Sequence, residues 1–437
     1  MRKLLLLTLV FSLSVTLWAK EVFKITPLEG AAYSSAATVD PMASLVFTKS
    51  YSGSNEDVGE AASDAFADLK NDLELAGLSL KSVVNVRGYL LSQKGEDMGD
   101  AMGKWSGAFS KAFADNELAP TRTSIGVTHL PGDATVALDV ILAAAPEVLD
   151  AMMPSWANDR IYASSETPLS LRATRPYSSL LITSGVLADS LPGEGSGFGS
   201  MEQQSESVLS KLDAVLRRWG LGRSDLVFVR AMLSPAANED GELATDFAGF
   251  EVGWETFWET SSAGAPPVSV FSAPGFSSTG RIVEIEFYAV FPDAMGPFVP
   301  SEMGGETGLA GPAWREGSET SFLSSSVAVA RDAKLTWFAG VIDRNATGIY
   351  GQAMQSLLTL ESRMAEAGLD YPNVVQLRAY LNIQDSFPTE FGNWNKAYRR
   401  FFDHSKLNPD KPVRSAFPIE ELPAGALIEV EALGVSY

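Results

Sequence analysis

A combination of helix-like and strand-like hydrophobic patterns recurs three times along the chain. In each occurrence, apolar residues at steps of three and four predict an amphipathic helix that ends at a glycine, and a β-branched strand follows at once. The three stretches are 68–87, 211–230 and 360–378. Their glycines, Gly77, Gly220 and Gly368, fit helix C-caps because glycine adopts positive φ without a steric cost.

A second helix and two proline-led strands complete each occurrence. The second helices carry the aromatic pairs Trp105 and Phe109, Trp254 and Phe257, and Tyr398 and Phe401, which we interpret as core residues. Positions 122, 268 and 414, at the start of the closing strands, are 146 residues apart in each case (268 − 122 and 414 − 268). This equal spacing predicts that one α+β supersecondary plan is used three times.

The repeat sets the expected domain boundaries. They are a signal peptide at 1–19, domains at 20–150, 158–292 and 320–437, and a linker rich in Gly, Pro and Glu at 293–319. Two basic residues followed by a short apolar stretch are typical of a secretory signal, so we expect an exported protein, periplasmic or secreted. The alternative is an uncleaved anchor, but the stretch is short for a span and is interrupted by Ser and Thr.

Composition and charge narrow the candidate chemistry. The chain has no cysteine, which excludes disulfides, thiolate metal sites and a cysteine nucleophile, and its two histidines, His129 and His404, are too few for a metal cluster. One histidine is enough for a Ser-His-Asp triad, although no G-x-S-x-G motif supports one. The net charge of −21 makes nucleic acid and anionic membrane unsuitable partners.

Several motifs resemble those of the RidA/YjgF family of imine deaminases. They lie at Ile182–Gly185, Phe391–Tyr398, Pro412–Ser415, Leu422–Pro423 and Ile428–Ala432. The resemblance implies chorismate-mutase-like α+β domains, each a mixed sheet covered by two helices, of a kind that forms homotrimers with a site in each cleft between subunits. Three such domains in one chain would form an intramolecular pseudo-trimer, and we expect the chain to be monomeric.

The resemblance also implies a reaction and its residues. Small enamine or imine acids, of the 2-iminopropanoate type, would be hydrolysed to 2-keto acids and ammonium, without a metal or organic cofactor. A guanidinium group would bind the substrate carboxylate, and a carboxyl group would position water and move protons. The implied substrate-binding residues are Arg414, Arg122, Asn395, Ser184, Gly185 and Gly340, and the implied catalytic residues are Glu429 and Glu284.

The three occurrences do not keep this residue pattern equally. Val268 stands at the arginine position of the second, and Ala137 at the glutamate position of the first. Only the third carries arginine, glutamate and asparagine together, so we expect one or two working sites, with Arg414 in the leading one. An arginine could also be completed by a glutamate from another repeat, or could form a structural ion pair.

Three further arginines, Arg87, Arg230 and Arg378, recur at one position of the repeat. We interpret them as structural ion-pair or interface residues because they follow the fold rather than any single cleft.

Two other functions compete with catalysis. The first is a non-catalytic, small-carboxylate-binding or scaffold pseudo-trimer, which the substitutions at 137 and 268 and the export signal favour. The second is a ribonuclease, a function that some members of the family carry, and the acidic charge disfavours it.

Overall fold

The structure, a computed structural model, describes most of the chain beyond the predicted signal peptide. The described residues are 22–29, 31–92, 99–145, 161–163, 171–174, 177–178, 180–192, 197–237, 242–259, 265–276, 280–291, 313–316, 326–329, 333–383, 386–402, 411–420 and 422–436. The predicted signal peptide at 1–19 lies outside them. Within these ranges, no helix is both long and apolar enough to cross a membrane.

The helices are α1 (Val58–Leu75), α2 (Gly99–Ala112), α3 (Met201–Arg218), α4 (Phe247–Glu259), α5 (Gly348–Glu366) and α6 (Phe387–Phe402). The strands up to residue 187 are β1 (Phe23–Pro27), β2 (Ser34–Val39), β3 (Ser44–Thr48), β4 (Tyr51–Gly53), β5 (Val83–Leu91), β6 (Thr121–Val127), β7 (Val136–Ala144), β8 (Ile161–Ala163), β9 (Leu171–Thr174), β10 (Leu180–Thr183) and β11 (Val186–Leu187). The later strands are β12 (Leu226–Leu233), β13 (Ala236–Ala237), β14 (Leu243–Ala244), β15 (Val268–Ser272), β16 (Val283–Val290), β17 (Ala313–Glu316), β18 (Ser326–Val329), β19 (Lys334–Val341), β20 (Val374–Asn382), β21 (Val413–Ile419) and β22 (Ile428–Ser436).

The sheets are mixed, and each has helices packed on it. Strands β5, β12 and β20 each pair in parallel with the next long strand, β6, β15 or β21. On their other edge they pair antiparallel with β7, β16 or β22. Helices contact each other in the pairs α1 with α2, α3 with α4, and α5 with α6. The predicted α+β class is therefore confirmed, whereas three tandem copies in a pseudo-trimer remain a prediction.

Hairpins that precede the central strands pair across the predicted boundaries. Strand β2 of the hairpin β1–β2 pairs with β19, β9 of β8–β9 pairs with β3, and β18 of β17–β18 pairs with β10. Part of the predicted linker, 293–319, is therefore strand β17. The hairpin β8–β9, which we assigned to the domain at 158–292, pairs with a strand of the domain at 20–150.

Glycine ends the first helix of each pattern as predicted. The φ angles of Gly77, Gly220 and Gly368 are 66°, 70° and 75°. After α1, the backbone N–H of Leu78 donates to the carbonyl oxygen of Leu73 at 2.7 Å, so one of the last free helical carbonyls is paired.

The apolar interior consists of local and shared clusters. One cluster packs α1 and α2 on their sheet, a second packs α3 and α4, and a third packs α5 and α6. Two further clusters combine residues from all three parts of the chain; one of them contains Val84, Val227 and Val375. These shared clusters remove apolar surface from water only when the three parts are together, which makes the parts depend on one another.

A closed ring of buried ion pairs lies among these strands. Its members, which we call the charge ring, are Arg87, Arg230, Arg378, Asp139, Glu286 and Glu431. The side chain of every member is at most 3% exposed. Three positive and three negative groups alternate, so the ring is neutral as a whole. The interpretation of the three arginines as structural ion-pair residues is confirmed.

Each arginine of the charge ring contacts two carboxylates. Arg87 lies 2.9 Å from Glu431 and 3.6 Å from Asp139. Arg230 contacts Asp139 at 3.2 Å and also Glu286, and Arg378 donates to Glu286 at 2.6 Å and to Glu431 at 2.8 Å. Burial alone would raise the pKa of Glu286, but Arg378 and Arg230 lower that pKa to about 2.

Candidate functional site

Arg414 lies near the start of β21, where neighbouring side chains hold it in place. Its Nη1 donates to Oδ1 of Asn395 on α6 at 2.7 Å, and its backbone N–H donates to Oγ of Ser184 at 2.8 Å. The guanidinium carbon lies 4.8 Å from the ring centroid of Tyr398, which also lies on α6. We call Ser184, Gly185, Glu284, Asn395, Tyr398 and Arg414 the Arg414 set.

Glu284 on β16 supplies the carboxyl group of the Arg414 set. Its side chain packs against Gly185 so closely that a Cβ atom at position 185 would overlap a carboxyl oxygen. Burial raises the pKa of Glu284 to about 8, the nearby Glu286 adds to this, and Arg414 opposes it. Burial also lowers the pKa of Arg414, to about 10, so at neutral pH a charged guanidinium faces a mostly protonated carboxyl group.

Arg122 on β6 is the centre of a second, similar arrangement. Its Nη1 donates to Oγ of Ser106 at 3.1 Å, and its guanidinium carbon lies 4.7 Å from the ring centroid of Tyr33 and 5.0 Å from that of Phe109. Arg122 is half-buried, whereas Arg414 is buried. We call Tyr33, Ser106, Arg122, Gly340, Arg363 and Glu429 the Arg122 set.

Glu429 on β22 is the carboxyl group of the Arg122 set. A Cβ atom on Gly340 would overlap its carboxyl oxygen, as at Gly185. Burial raises the pKa of Glu429 to about 8, Glu431 adds to this, and Arg122 and Arg363 oppose it. Its Oε2 is buried without a hydrogen-bond partner among the described residues, which leaves this polar atom unsatisfied.

The third matching position has different chemistry. The backbone N–H of Ser50 donates to the carbonyl oxygen of Val268 at 3.4 Å. Val268 stands at the position that Arg122 and Arg414 occupy in the other two repeats. Ala137 replaces the glutamate. Lys49 lies 3.6 Å from Asp72, so the charged groups there neutralise each other. This position offers neither the guanidinium nor the buried acid of the other two.

The structure separates two residues that the sequence grouped together. The third repeat carries arginine, glutamate and asparagine together in sequence, but Arg414 interacts with Glu284, and Glu429 interacts with Arg122. This pairing corresponds to the alternative in which a glutamate of another repeat completes an arginine. The reason is the sheet order, in which β20 lies between β21 and β22. Arg414 and Glu429 are therefore two strand spacings apart, roughly 10 Å.

Sequence reasoning missed four members of these sets. One is Ser106, which accepts a hydrogen bond from Arg122. Tyr398 is a core residue as predicted, but it also packs against the Arg414 guanidinium. Tyr33 could not be assigned from the sequence, and its ring contacts Arg122. Arg363 could have been found by comparing the repeats. It lies five residues before the helix-ending glycine, where the other two repeats have Asp72 and Val215, so an arginine occurs only in the third.

Other features of the described residues do not add to these sets. A cavity of about 460 Å³ lies at the opposite end of β21, with Pro274, Phe276 and Ile419 in its walls, and none of its lining residues belongs to either set. The described ranges contain no cluster of three or more His, Cys, Asp or Glu side chains that could hold a metal ion.

The chain is similar to proteins of known family. Residues 327–436 match the model of the Endoribonuclease L-PSP family. A 2-iminobutanoate/2-iminopropanoate deaminase of Mus musculus is 32% identical over 88 residues, which are 20% of this chain and 58% of that protein. Its counterpart in Rattus norvegicus is 34% identical over 89 residues, again 20% of this chain and 58% of that protein. The chain thus spans less than two thirds of the length of these relatives.

Two solved structures are similar over part of the chain. The YjgF gene product of Escherichia coli is 25% identical and has a TM-score of 0.21, over 24% of this chain and 81% of that one. A YjgF family member from Neisseria meningitidis is 17% identical with a TM-score of 0.21, over 29% of this chain and 95% of that one. The match to the Endoribonuclease L-PSP family model thus covers the part of the chain from 327 to 436.

Proposed function

We propose that the chain hydrolyses small enamine or imine acids to 2-keto acids and ammonium. The observation that supports this most is the repeated pairing of an arginine with a buried carboxyl group whose pKa is about 8, in the Arg414 and Arg122 sets. The similarity to proteins named 2-iminobutanoate/2-iminopropanoate deaminase points to the same reaction.

The proposed chemistry needs one proton donor and one anion-binding group in each set. The guanidinium of Arg414 or Arg122 binds the substrate carboxylate, and the neutral Glu284 or Glu429 gives its proton to the imine nitrogen. The resulting carboxylate then takes a proton from water as the water oxygen bonds to the imine carbon. In the next step the reprotonated acid gives its proton to the amino group. The C–N bond then breaks as the hydroxyl oxygen forms the C=O bond and passes its proton to the carboxylate, and the nitrogen leaves as ammonia, which becomes ammonium in solution.

We further propose that three RidA-like domains form one pseudo-trimer, with each working site in a cleft between domains. The charge ring, the two shared apolar clusters and the hairpins paired across boundaries support this arrangement. In this proposal the chain is a monomer, exported behind the predicted signal at 1–19, with small carboxylates rather than nucleic acid as its partners.

A non-catalytic carboxylate-binding or scaffold protein is the second candidate. The position with Val268, Ala137 and the Lys49–Asp72 ion pair supports it, because the arginine and the glutamate that would bind and convert an acid are both replaced there. In this second candidate, the loss of these residues at one position is accompanied by the loss of catalysis at the other two.

The two candidates are separated by turnover of freshly generated 2-iminopropanoate. An amino-acid oxidase supplies the imine, and its decay is followed with the full chain, Arg414→Ala, Arg122→Ala and the double variant, with Val268→Ala as the matched control. We expect partial loss in each single arginine variant, loss of about 10²-fold or more in the double variant, and no change in the control. Equal imine decay with and without the protein, together with pyruvate binding that both arginines support, would establish the binding protein instead.

A further inference from the structure

The Arg122 set contains a second arginine, and the Arg414 set has no counterpart. Arg363 lies in the last turn of α5, and its electrostatic neighbours include Tyr33 and Glu429, which are also the neighbours of Arg122. The same helical position on α3 is Val215. Two guanidinium groups therefore flank one buried acid in the first case, and one guanidinium does so in the second.

The surroundings of Arg363 leave part of its charge available. Its Nη1 is enclosed and has no hydrogen-bond partner among the described residues, although the side chain as a whole is only half-buried. A buried guanidinium N–H without an acceptor is costly, and an anionic ligand would remove that cost. The Oε2 atom of Glu429 is likewise without a hydrogen-bond partner among the described residues, so no hydrogen bond joins it to Nη1 of Arg363.

We propose that the Arg122 set takes small dicarboxylic imine acids, whereas the Arg414 set takes monocarboxylic ones. Arg122 binds the carboxylate next to the imine carbon, and Arg363 binds the second carboxylate. This proposal rests on the proposed function, and the reaction is unchanged: water adds its oxygen to the imine carbon, the C–N bond breaks, and ammonia leaves the keto dicarboxylate.

Binding of stable acids tests this proposal without relying on turnover. Succinate and butyrate have the same number of carbon atoms and differ in one carboxylate, so calorimetric titration of each isolates the second charge. In the Arg414→Ala background, which leaves the Arg122 set, we expect succinate to bind at least tenfold more tightly than butyrate. Arg363→Met should lower the succinate affinity by about ten- to hundredfold and leave butyrate unchanged.

Two controls keep the outcome specific. Arg217→Met removes an exposed arginine from the matching last turn of α3 and should change neither affinity. Arg363→Lys keeps the charge and should retain part of the succinate preference, which excludes a fold defect as the cause of the loss. Equal affinities for succinate and butyrate, or an Arg363→Met variant with unchanged succinate binding, overturn the dicarboxylate assignment alone. Failure of both acids to bind anywhere on the chain overturns the proposed function itself.

Discussion

Glu284 and Glu429 each lie against a glycine that leaves just enough space for a carboxyl group. At that depth the charged form loses its hydration, and the neighbouring arginine does not fully replace it. Each residue therefore holds a proton at neutral pH and can release it within the range in which enzymes work.

This protonation predicts a pH profile for catalysis. If the neutral acid is the starting form, kcat/KM for 2-iminopropanoate falls as the pH rises through about 8, the pKa of both carboxyl groups in the free protein. The measurement is the initial rate between pH 6 and 10, with the buffer-catalysed rate subtracted at each pH. A rate that instead increases through pH 8 would show that the ionised carboxylate, acting as a base, is the catalytic form.

The same groups predict a cost in stability. A carboxyl group with a pKa of 4.5 when unfolded and about 8 when folded binds a proton more tightly in the folded protein. Its stabilising contribution is complete below pH 4.5 and is lost as the pH rises to 8. Glu429→Gln should therefore raise the free energy of unfolding at pH 8 by about 4 kcal/mol and leave it almost unchanged at pH 4. Urea unfolding at the two pH values checks this, and an equal effect at both would contradict it.

Several members of the two candidate sets could be predicted from sequence, one residue at a time. Arg414, Arg122, Glu284 and Glu429 all lie in the two sets, because short motifs fix their places on strands. Their partners could not be predicted, since pairing depends on which strand edges meet, and local patterns do not contain that information. Arg363 was missed because a lone arginine on a helix usually lies in solvent.

At the scale of the elements, glycines end the first helix of each pattern in the left-handed region. The conformation, not the space, makes glycine necessary there, because nothing lies within 4 Å of a Cβ atom built on Gly220. Any loss of stability on replacing Gly220 would therefore come from the backbone conformation and not from a steric clash.

Two glycine substitutions should therefore have opposite effects. Gly220→Ala, at φ 70°, should lower the free energy of unfolding by about 1 kcal/mol. Gly107→Ala, inside α2 and also with open space around it, should raise the free energy of unfolding by about 0.5–1 kcal/mol. Thermal or urea unfolding of both variants is the measurement, and the same sign for both would refute this account.

The elements themselves were predictable because helix and strand periods differ clearly along this chain. The partners of the hairpins β1–β2, β8–β9 and β17–β18 were not, because a hairpin can pair with any open strand edge of matching length. The stretch at 313–316 was assigned to a linker on composition, and its backbone nevertheless pairs with β18.

At the scale of the whole molecule, the charge ring joins strands that are far apart in sequence. Arg230 contacts both Asp139 and Glu286, so its removal leaves two buried carboxylates with one arginine fewer. We expect Arg230→Met to lower the free energy of unfolding by about 3–5 kcal/mol, because an uncompensated buried charge is costly. Arg217→Met, which removes an exposed arginine, should change it by less than about 0.5 kcal/mol. A small effect at Arg230 would show that the ring is not held by these pairs.

The contact between Arg87 and Glu431 spans 344 residues of sequence. During synthesis, β5 with Arg87 is complete long before Glu431 has been added to the chain. The charge ring therefore cannot close until the last strand, β22, has been made. Contacts of such long sequence separation form late and slowly. Refolding should therefore end in a slow phase in which the charge ring closes and the three parts come together.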